Sequence, residues 1–347
     1  MRIPVNKGCE EQWQHFQEKV NFLKQADSYN ESCKEIEAIE THMSWVFLTD
    51  KHAYKLKKPV NFSYIDFSTL SKRFNSCHRE LILNQKLARG IYQNIIPFLQ
   101  DKKGHFCPVG GSIDGTVEEW LLKMKRFPRE NTLDNAILNQ HLNQEILYEA
   151  ATHLMNFYQE SRPILFEPHA YLERLKEKIA KNLHSLLNPR YELDPIFLQE
   201  VADAQLHKLA ELSNYISHRI AEGRIRECHG DLRAEHICLA SPPIITDRLE
   251  FSDQLRIMDP LEELSYLYIE CQYLGQKEAG ELFYNVYHKK LGDAPHPELL
   301  KLFKSYRACL KAKLAIWHLD DYRVHNQQKW HDKAKAYLNL STAIFHE

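Results

Sequence analysis

Cys228-His229-Gly230-Asp231-Leu232-Arg233-Ala234-Glu235-His236-Ile237-Cys238-Leu239, followed by Ile244-Ile245-Thr246-Asp247-Arg248-Leu249-Glu250-Phe251, is the stretch whose reading decides the fold. Asp231 follows a glycine, His236 stands five residues on, and Asp247 closes an apolar run sixteen residues after Asp231. Two carboxylates spaced around a short hairpin suit phosphoryl transfer. One accepts the proton of an attacking hydroxyl and the other holds a divalent metal across phosphates. A lone loop aspartate is ordinarily a solvated turn residue. The His-Gly-Asp triplet, the five-residue step and the strand-end aspartate together separate this stretch from that ordinary case.

Around it, the periodicity changes along the chain. Residues 9–28 carry Trp13, Phe16, Val20 and Leu23 at helical spacing. Residues 44–49 and 52–57 flank Asp50-Lys51 and predict a hairpin. Alternation in its second strand sets Lys55 opposite Tyr54 and Leu56, while Lys57 and Lys58 read as solvated lysines. Ser68 is the expected cap of a helix reaching about Ala88, with Leu70, Phe74, Cys77 and Leu81 on its apolar stripe. Residues 95–99, 106–109 and 117–127 read as strands. From Asn131 helical patterns dominate, over 143–161, 169–187, about 194–222 and from Leu261 onward. The expected fold class is α+β in two lobes: a small β-rich N-lobe over 1–127, with an N-terminal helix and one helix after the hairpin, and a large mostly helical C-lobe over 128–347 holding both loops.

Composition narrows the function. The 347 residues are 44% hydrophobic and 27% charged, with net charge −2, as in a globular domain. No basic excess points to nucleic acid or to an anionic membrane surface, so neither is an expected partner. No apolar run approaches the roughly 18 residues of a membrane span, and the opening Met1-Arg2-Ile3 turns charged without a secretory core. The expected location is cytoplasmic. The eight cysteines form no C-x-x-C and read as reduced thiols.

Further segments complete the picture: Glu40-Thr41-His42-Met43-Ser44-Trp45-Val46-Phe47, Tyr54-Lys55-Leu56-Lys57-Lys58-Pro59-Val60 and Asp66-Phe67-Ser68-Thr69-Leu70. With 229–251 they resemble the aminoglycoside phosphotransferase branch of the protein-kinase-like fold, whose catalytic loop reads H-G-D-x-x-x-x-N. The nearer likeness is to a bacterial subgroup in which this domain is often fused to a P-loop ATPase. The resemblance runs roughly over 36–275. It implies ATP-dependent transfer of the γ-phosphate to a hydroxyl of a small molecule, with ATP in the interlobe cleft and Mg²⁺, or Mn²⁺, as metal. By resemblance Asp231 is the catalytic base, Asp247 the principal metal ligand and Arg233 a phosphate-steadying cation. Lys55 then meets the α- and β-phosphates, Glu80 orients Lys55, and 119–124, ending at Met124, is the adenine hinge. Asp259 both caps a helix and braces the catalytic loop. The acceptor is an unidentified hydroxyl-bearing small molecule, and no oligomeric state is implied.

Two departures matter. His236 stands where the family has its metal-binding Asn, and imidazole suits Mn²⁺ or Zn²⁺ better than Mg²⁺. His236 therefore either ligates metal with a shifted preference, or hydrogen-bonds Asp231 or a phosphate. No Gly-rich loop precedes Lys55; Thr41-His42-Met43-Ser44 stands there. Both departures support an alternative, a nucleotide-binding pseudokinase acting as a sensor. A protein kinase is disfavoured because no A-P-E follows Asp247. Residues 110–115 have the glycine spacing of a P-loop but Thr116-Val117 follow, so they read as a turn, and no fused ATPase is expected. Cys228, His229, His236 and Cys238 match no zinc framework. Lys304, Arg307 and Lys311 read as one solvated face of a helix over 296–319. Tyr306, Trp317, Tyr322, Trp330 and Tyr337 read as core.

Overall fold

A computed structural model describes residues 7–62, 65–111, 114–320 and 326–346. The opening Met1-Arg2-Ile3, the side chain of Cys9, Ser112 and Ile113 of the 110–115 turn, and Tyr322 lie outside the described residues. The chain divides into two compact units, one built from residues up to Arg129 together with Ile244–Ser252, the other from Glu130–Pro243 and Asp253–Glu347.

In the first unit, helix α1 (Lys7–Leu23) precedes a five-stranded antiparallel sheet. Its strands are β1 (Glu37–Glu40), β2 (Ser44–Leu48), β3 (His52–Lys57), β4 (Tyr92–Gln100) and β5 (Thr116–Lys125), in the order β1-β2-β3-β5-β4. The hairpin pairs Val46 with Lys55 and Phe47 with Tyr54. Tyr54 and Leu56 point into a core with Phe47, Phe98, Leu121 and the α1 residues Phe16, Val20 and Leu23. That alternation leaves Lys55 and Lys57 on the opposite face. Residues 106–109 make only isolated bridges, Gln100 to Phe106 and Tyr29 to Val109, and form no strand.

Helix α2 (Leu70–Asn84) starts one residue later than the Ser68 cap predicts. Asp66 Oδ1 accepts from both the Ser68 amide and hydroxyl, so Thr69 becomes the cap and accepts from the Lys72 amide. Its fully buried stripe is largely polar: Arg73, Ser76, Cys77, Glu80 and Asn84. Leu70, Phe74 and Leu81 are only half-buried. A polar stripe is stable there because each group has a partner. Arg73 makes a two-pronged pair with Glu119 at 2.7 and 2.6 Å, and Glu80 meets the lysines of β3. Lys57 and Lys58, expected to be solvated, are buried for the same reason. Lys57 binds Glu80 and Glu250, and Lys58 binds Glu40 at 2.6 Å.

The second unit is helical: α3 (Leu133–Leu138), α4 (Gln144–Glu160), α5 (Pro168–Leu186), α6 (Pro195–Glu211), α7 (Ser213–Ala221), α8 (Asp253–Arg256), α9 (Pro260–Tyr273), α10 (Lys277–Leu291), α11 (Pro297–Ile316) and α12 (Gln327–Ala343). Helix α9 is buried from Pro260 to Ile269, as expected of a helix surrounded by others. Its Tyr268 and Ile269 join Leu198 and Val201 of α6, Ala308 and Ala312 of α11, and Tyr337 of α12 in one core. Arg307 and Lys311, read as solvated, are buried because α11 packs on α9 and meets its Glu262 and Glu270. Tyr306 and Tyr337 are core, whereas Trp317 is exposed. Among the described residues no helix is long and apolar enough to cross a membrane.

Candidate active site

The Cys228–Leu239 stretch lies in the helical unit between the short strands Arg226–Glu227 and Ile257–Met258, which pair antiparallel. Gly230 takes φ 95°, a conformation that lets the chain turn just before Asp231. Glu263 of α9 fixes the turn. Its carboxylate accepts from the His229 amide at 3.0 Å, the Gly230 amide at 2.5 Å and the Tyr158 hydroxyl at 2.6 Å. Burial nevertheless raises the Glu263 pKa above its ordinary value. Glu270, two turns further along α9, accepts from the Ala234 amide at 2.7 Å and pairs with Lys311. The loop is thus hung from one buried helix by two carboxylates.

Asp231, Arg233 and His236 meet on this loop. Arg233 Nε lies 3.1 Å from Asp231 Oδ2, and its Nη1 lies 2.5 Å from Glu235. His236 Nδ1 is 2.9 Å from the Asp231 carbonyl, which can only accept, so this nitrogen carries the proton. Nε2 then offers a lone pair, and Arg233 Nη2 donates to it at 2.8 Å. Burial opposes ionisation of Asp231, but the Arg233 guanidinium, helped by Lys311, outweighs it and holds the carboxyl below the usual aspartate range. A carboxylate so held is ionised at neutral pH and can accept a hydroxyl proton.

Lys55, Glu80 and Asp247 meet in the first unit. Lys55 Nζ donates to Glu80 Oε1 at 2.7 Å and to Asp247 Oδ1 at 2.9 Å. Burial works against the ammonium, yet Asp247, Glu80 and Glu250 raise the Lys55 pKa well above the lysine value. Asp247 sits at φ 61°, left-handed for a non-glycine residue, with its amide donating to the Tyr92 hydroxyl at 3.0 Å. The neighbouring Arg248 amide donates to Asn84 Oδ1 at 2.9 Å. Asp247 remains 40% exposed, which leaves its carboxylate accessible to a ligand.

Sequence reasoning passed over several supporting groups. Lys57 donates to Glu80 Oε2 at 2.6 Å and Glu250 Oε1 at 2.7 Å, so both oxygens of Glu80 are held by strand lysines. Glu263 supports the loop that carries Asp231, whereas Asp259 caps α9 and pairs with Arg219 at 2.7 Å. The residues 119–124 run inside β5 between β3 and β4, with Met124 opposite Ala53 and Tyr92. The chain leaves the strand only after Lys125. In the Thr41–Ser44 turn, the Thr41 amide donates to the Ser44 carbonyl and the Ser44 amide to Thr41 Oγ1, so these two donors are used within the turn. Among the described residues, no cluster of His, Cys, Asp and Glu has the arrangement of a preformed metal site.

No protein-family model matches the chain. Uncharacterised proteins of Mycobacterium tuberculosis and Mycobacterium bovis are 28% identical over 285 residues, 80% of this chain and 54% of theirs. The chain spans about half the length of these curated relatives. Among solved structures, the GDP complex of aminoglycoside 2'-phosphotransferase-IIIa aligns with TM-score 0.52 and 16% identity, covering 90% of this chain and 94% of that one. A choline/ethanolamine kinase family protein from Mesorhizobium loti aligns with TM-score 0.53 and 15% identity, covering 96% and 95%. At these identities the likeness speaks for the fold. The chain has the two-lobed α+β protein-kinase-like fold that small-molecule phosphotransferases share.

Proposed function

We propose that the protein is an ATP-dependent phosphotransferase that moves the γ-phosphate to a hydroxyl of a small molecule. The observation that carries this reading is Lys55, held at 2.7 and 2.9 Å by Glu80 and by Asp247, a residue 192 positions away in sequence. That arrangement pairs a phosphate-binding cation with a metal-binding carboxylate. The fold and the ionised Asp231 on its supported loop agree with it. Asp247 suits Mg²⁺, being an accessible oxygen ligand. His236 suits it less well, as a nitrogen ligand whose lone pair already meets Arg233. A bound Mg²⁺ would supply charge neutralisation on the phosphates. In this reading Asp231 takes the acceptor's proton, Lys55 steadies the phosphates, Glu80 orients Lys55, and the β5 segment ending at Met124 meets adenine.

Calorimetric titration of ATP with Mg²⁺, and then Mn²⁺, tests the reading alongside two variants. Asp247→Ala should lose the metal-dependent part of the affinity. Asp231→Ala should bind ATP but transfer phosphate about 100- to 10,000-fold more slowly, the range for loss of a general base. Absence of ATP binding with either metal would overturn the proposal. Tight binding with no turnover on any hydroxyl acceptor would favour the sensor reading, which the internally bonded Thr41–Ser44 turn also supports.

A further inference from the structure

We infer that the Arg233 guanidinium replaces a metal ion on the catalytic loop, so that Asp231, Glu235 and His236 surround a built-in cation and, of the two candidate metal ligands His236 and Asp247, Asp247 is left to bind a divalent ion. Three groups of metal-ligand type converge on one planar cation. Nε is 3.1 Å from the Asp231 carboxylate, Nη1 is 2.5 Å from Glu235, and Nη2 is 2.8 Å from His236 Nε2. Two carboxylates and an imidazole are donor types that suit Mn²⁺, Co²⁺ or Zn²⁺, but with the guanidinium between them they are not arranged as a metal site. The imidazole cannot turn its other nitrogen to a metal without giving up the bond from Nδ1–H to the Asp231 carbonyl. Asp231 and Glu235 hold the guanidinium in place and keep it charged, against the partial burial that opposes its charge.

The substitution has a chemical consequence. A divalent ion here would compete with the acceptor's proton for Asp231. The Arg233 contact is an ion pair rather than an aligned hydrogen bond, since Nε has no hydrogen-bond partner. Asp231 therefore keeps its acceptor directions while its charge is stabilised. Where phosphate is transferred, Arg233 also offers a positive charge that no change in metal supply removes. This last point rests on the phosphotransferase reading, whereas the occupancy of the loop by arginine does not.

The test uses the 347-residue chain and Co²⁺ as probe, without nucleotide, followed by optical absorption and by electron-spin-echo detection of histidine nitrogen. Each protein is compared with its His236→Ala counterpart, so that other histidines cancel. The wild type should show no His236-dependent cobalt. Arg233→Ala should gain one equivalent of nitrogen-ligated cobalt, and Arg233→Lys, which keeps a cation, should gain none. A His236-dependent signal in the wild type would overturn the inference. So would a folded Arg233→Ala protein, judged by its melting curve, that gains no such signal. With ATP added, the wild type should bind one Mn²⁺ per nucleotide, and two would also overturn the inference. Failure to bind ATP at all would remove the phosphotransferase reading and leave the cobalt result standing.

Discussion

Lys178 on α5 shows how one side chain can be tuned by its neighbours. It donates to Glu262 Oε1 at 2.9 Å, and Arg307 donates to the same oxygen at 2.8 Å. Burial, opposed by Glu262 but reinforced by Arg307 and Arg174, pushes the lysine pKa down from 10.5 to about 8. The folded state disfavours the ammonium, so between those two values the unfolded chain holds the extra proton and stability rises with pH. The rise should total at most about 3.5 kcal/mol, because each pH step of one between the two values is worth roughly 1.4 kcal/mol. Melting temperatures measured from pH 7 to 10.5 should climb in the wild type relative to Lys178→Met. Parallel curves for the two proteins would show that Lys178 does not titrate there. At this scale the sequence reading singled out Asp231 and Asp247 from residue type and spacing, whereas Lys55 came from the family resemblance, alternation adding only that it lies opposite an apolar strand face. It passed over Lys57 and Lys311. Lysines are normally solvated, and what buries Lys57 is Glu250, 193 residues away.

Helix α9 organises the loop that carries Asp231, and Glu263 is a point of attachment. In Glu263→Ala, two backbone amides and the Tyr158 hydroxyl would lose their acceptor inside the protein. Each stranded buried donor costs about 1–3 kcal/mol. The variant should therefore lose roughly 3 kcal/mol or more in urea unfolding, and any phosphotransfer should fall with the loss of loop order. Glu263→Gln keeps one acceptor oxygen and should lose clearly less. Equal losses in the two variants would mean that the carboxylate's volume, and not its acceptor capacity, supports the loop. Periodicity located most elements, including the hairpin, α4 within 143–161 and the helix that becomes α11. It misread what those elements touch. Of the α2 stripe read as apolar, Cys77 is buried but Leu70, Phe74 and Leu81 are only half-buried, and the buried face also carries Arg73, Glu80 and Asn84. A polar residue becomes a core residue only when its partner is present, and hydrophobic spacing does not encode the partner. The brace was misplaced for a related reason: Asp259 has the obvious capping pattern, whereas the bonds of Glu263 run to a loop 33 and 34 residues earlier.

Across the whole chain, Ile244–Ser252 is the segment that periodicity could not assign. It interrupts the sequence of the helical unit, yet it folds with the first unit. Its ties are specific: the Ile245 amide donates to the Leu87 carbonyl at 3.0 Å, the Arg248 amide to Asn84, and Glu250 accepts from Lys57. Lys57→Met would leave Glu80 and Glu250 buried with less compensation, and breaking a buried ion pair from one side typically costs about 3–5 kcal/mol. Each unit has its own hydrophobic core, around Phe47, Leu56 and Leu121 in one and Ile269, Ala312 and Tyr337 in the other. The damage should therefore stay within the first unit. Native-state hydrogen exchange of Lys57→Met should show amides of β3, α2 and Ile244–Ser252 exchanging faster, while those of α9, α11 and α12 keep wild-type protection. A uniform loss of protection through α9, α11 and α12 would show that the two units open as one cooperative block. Local loosening would instead show that the ion pairs around Lys57 hold the Asp247 segment to the sheet that carries Lys55.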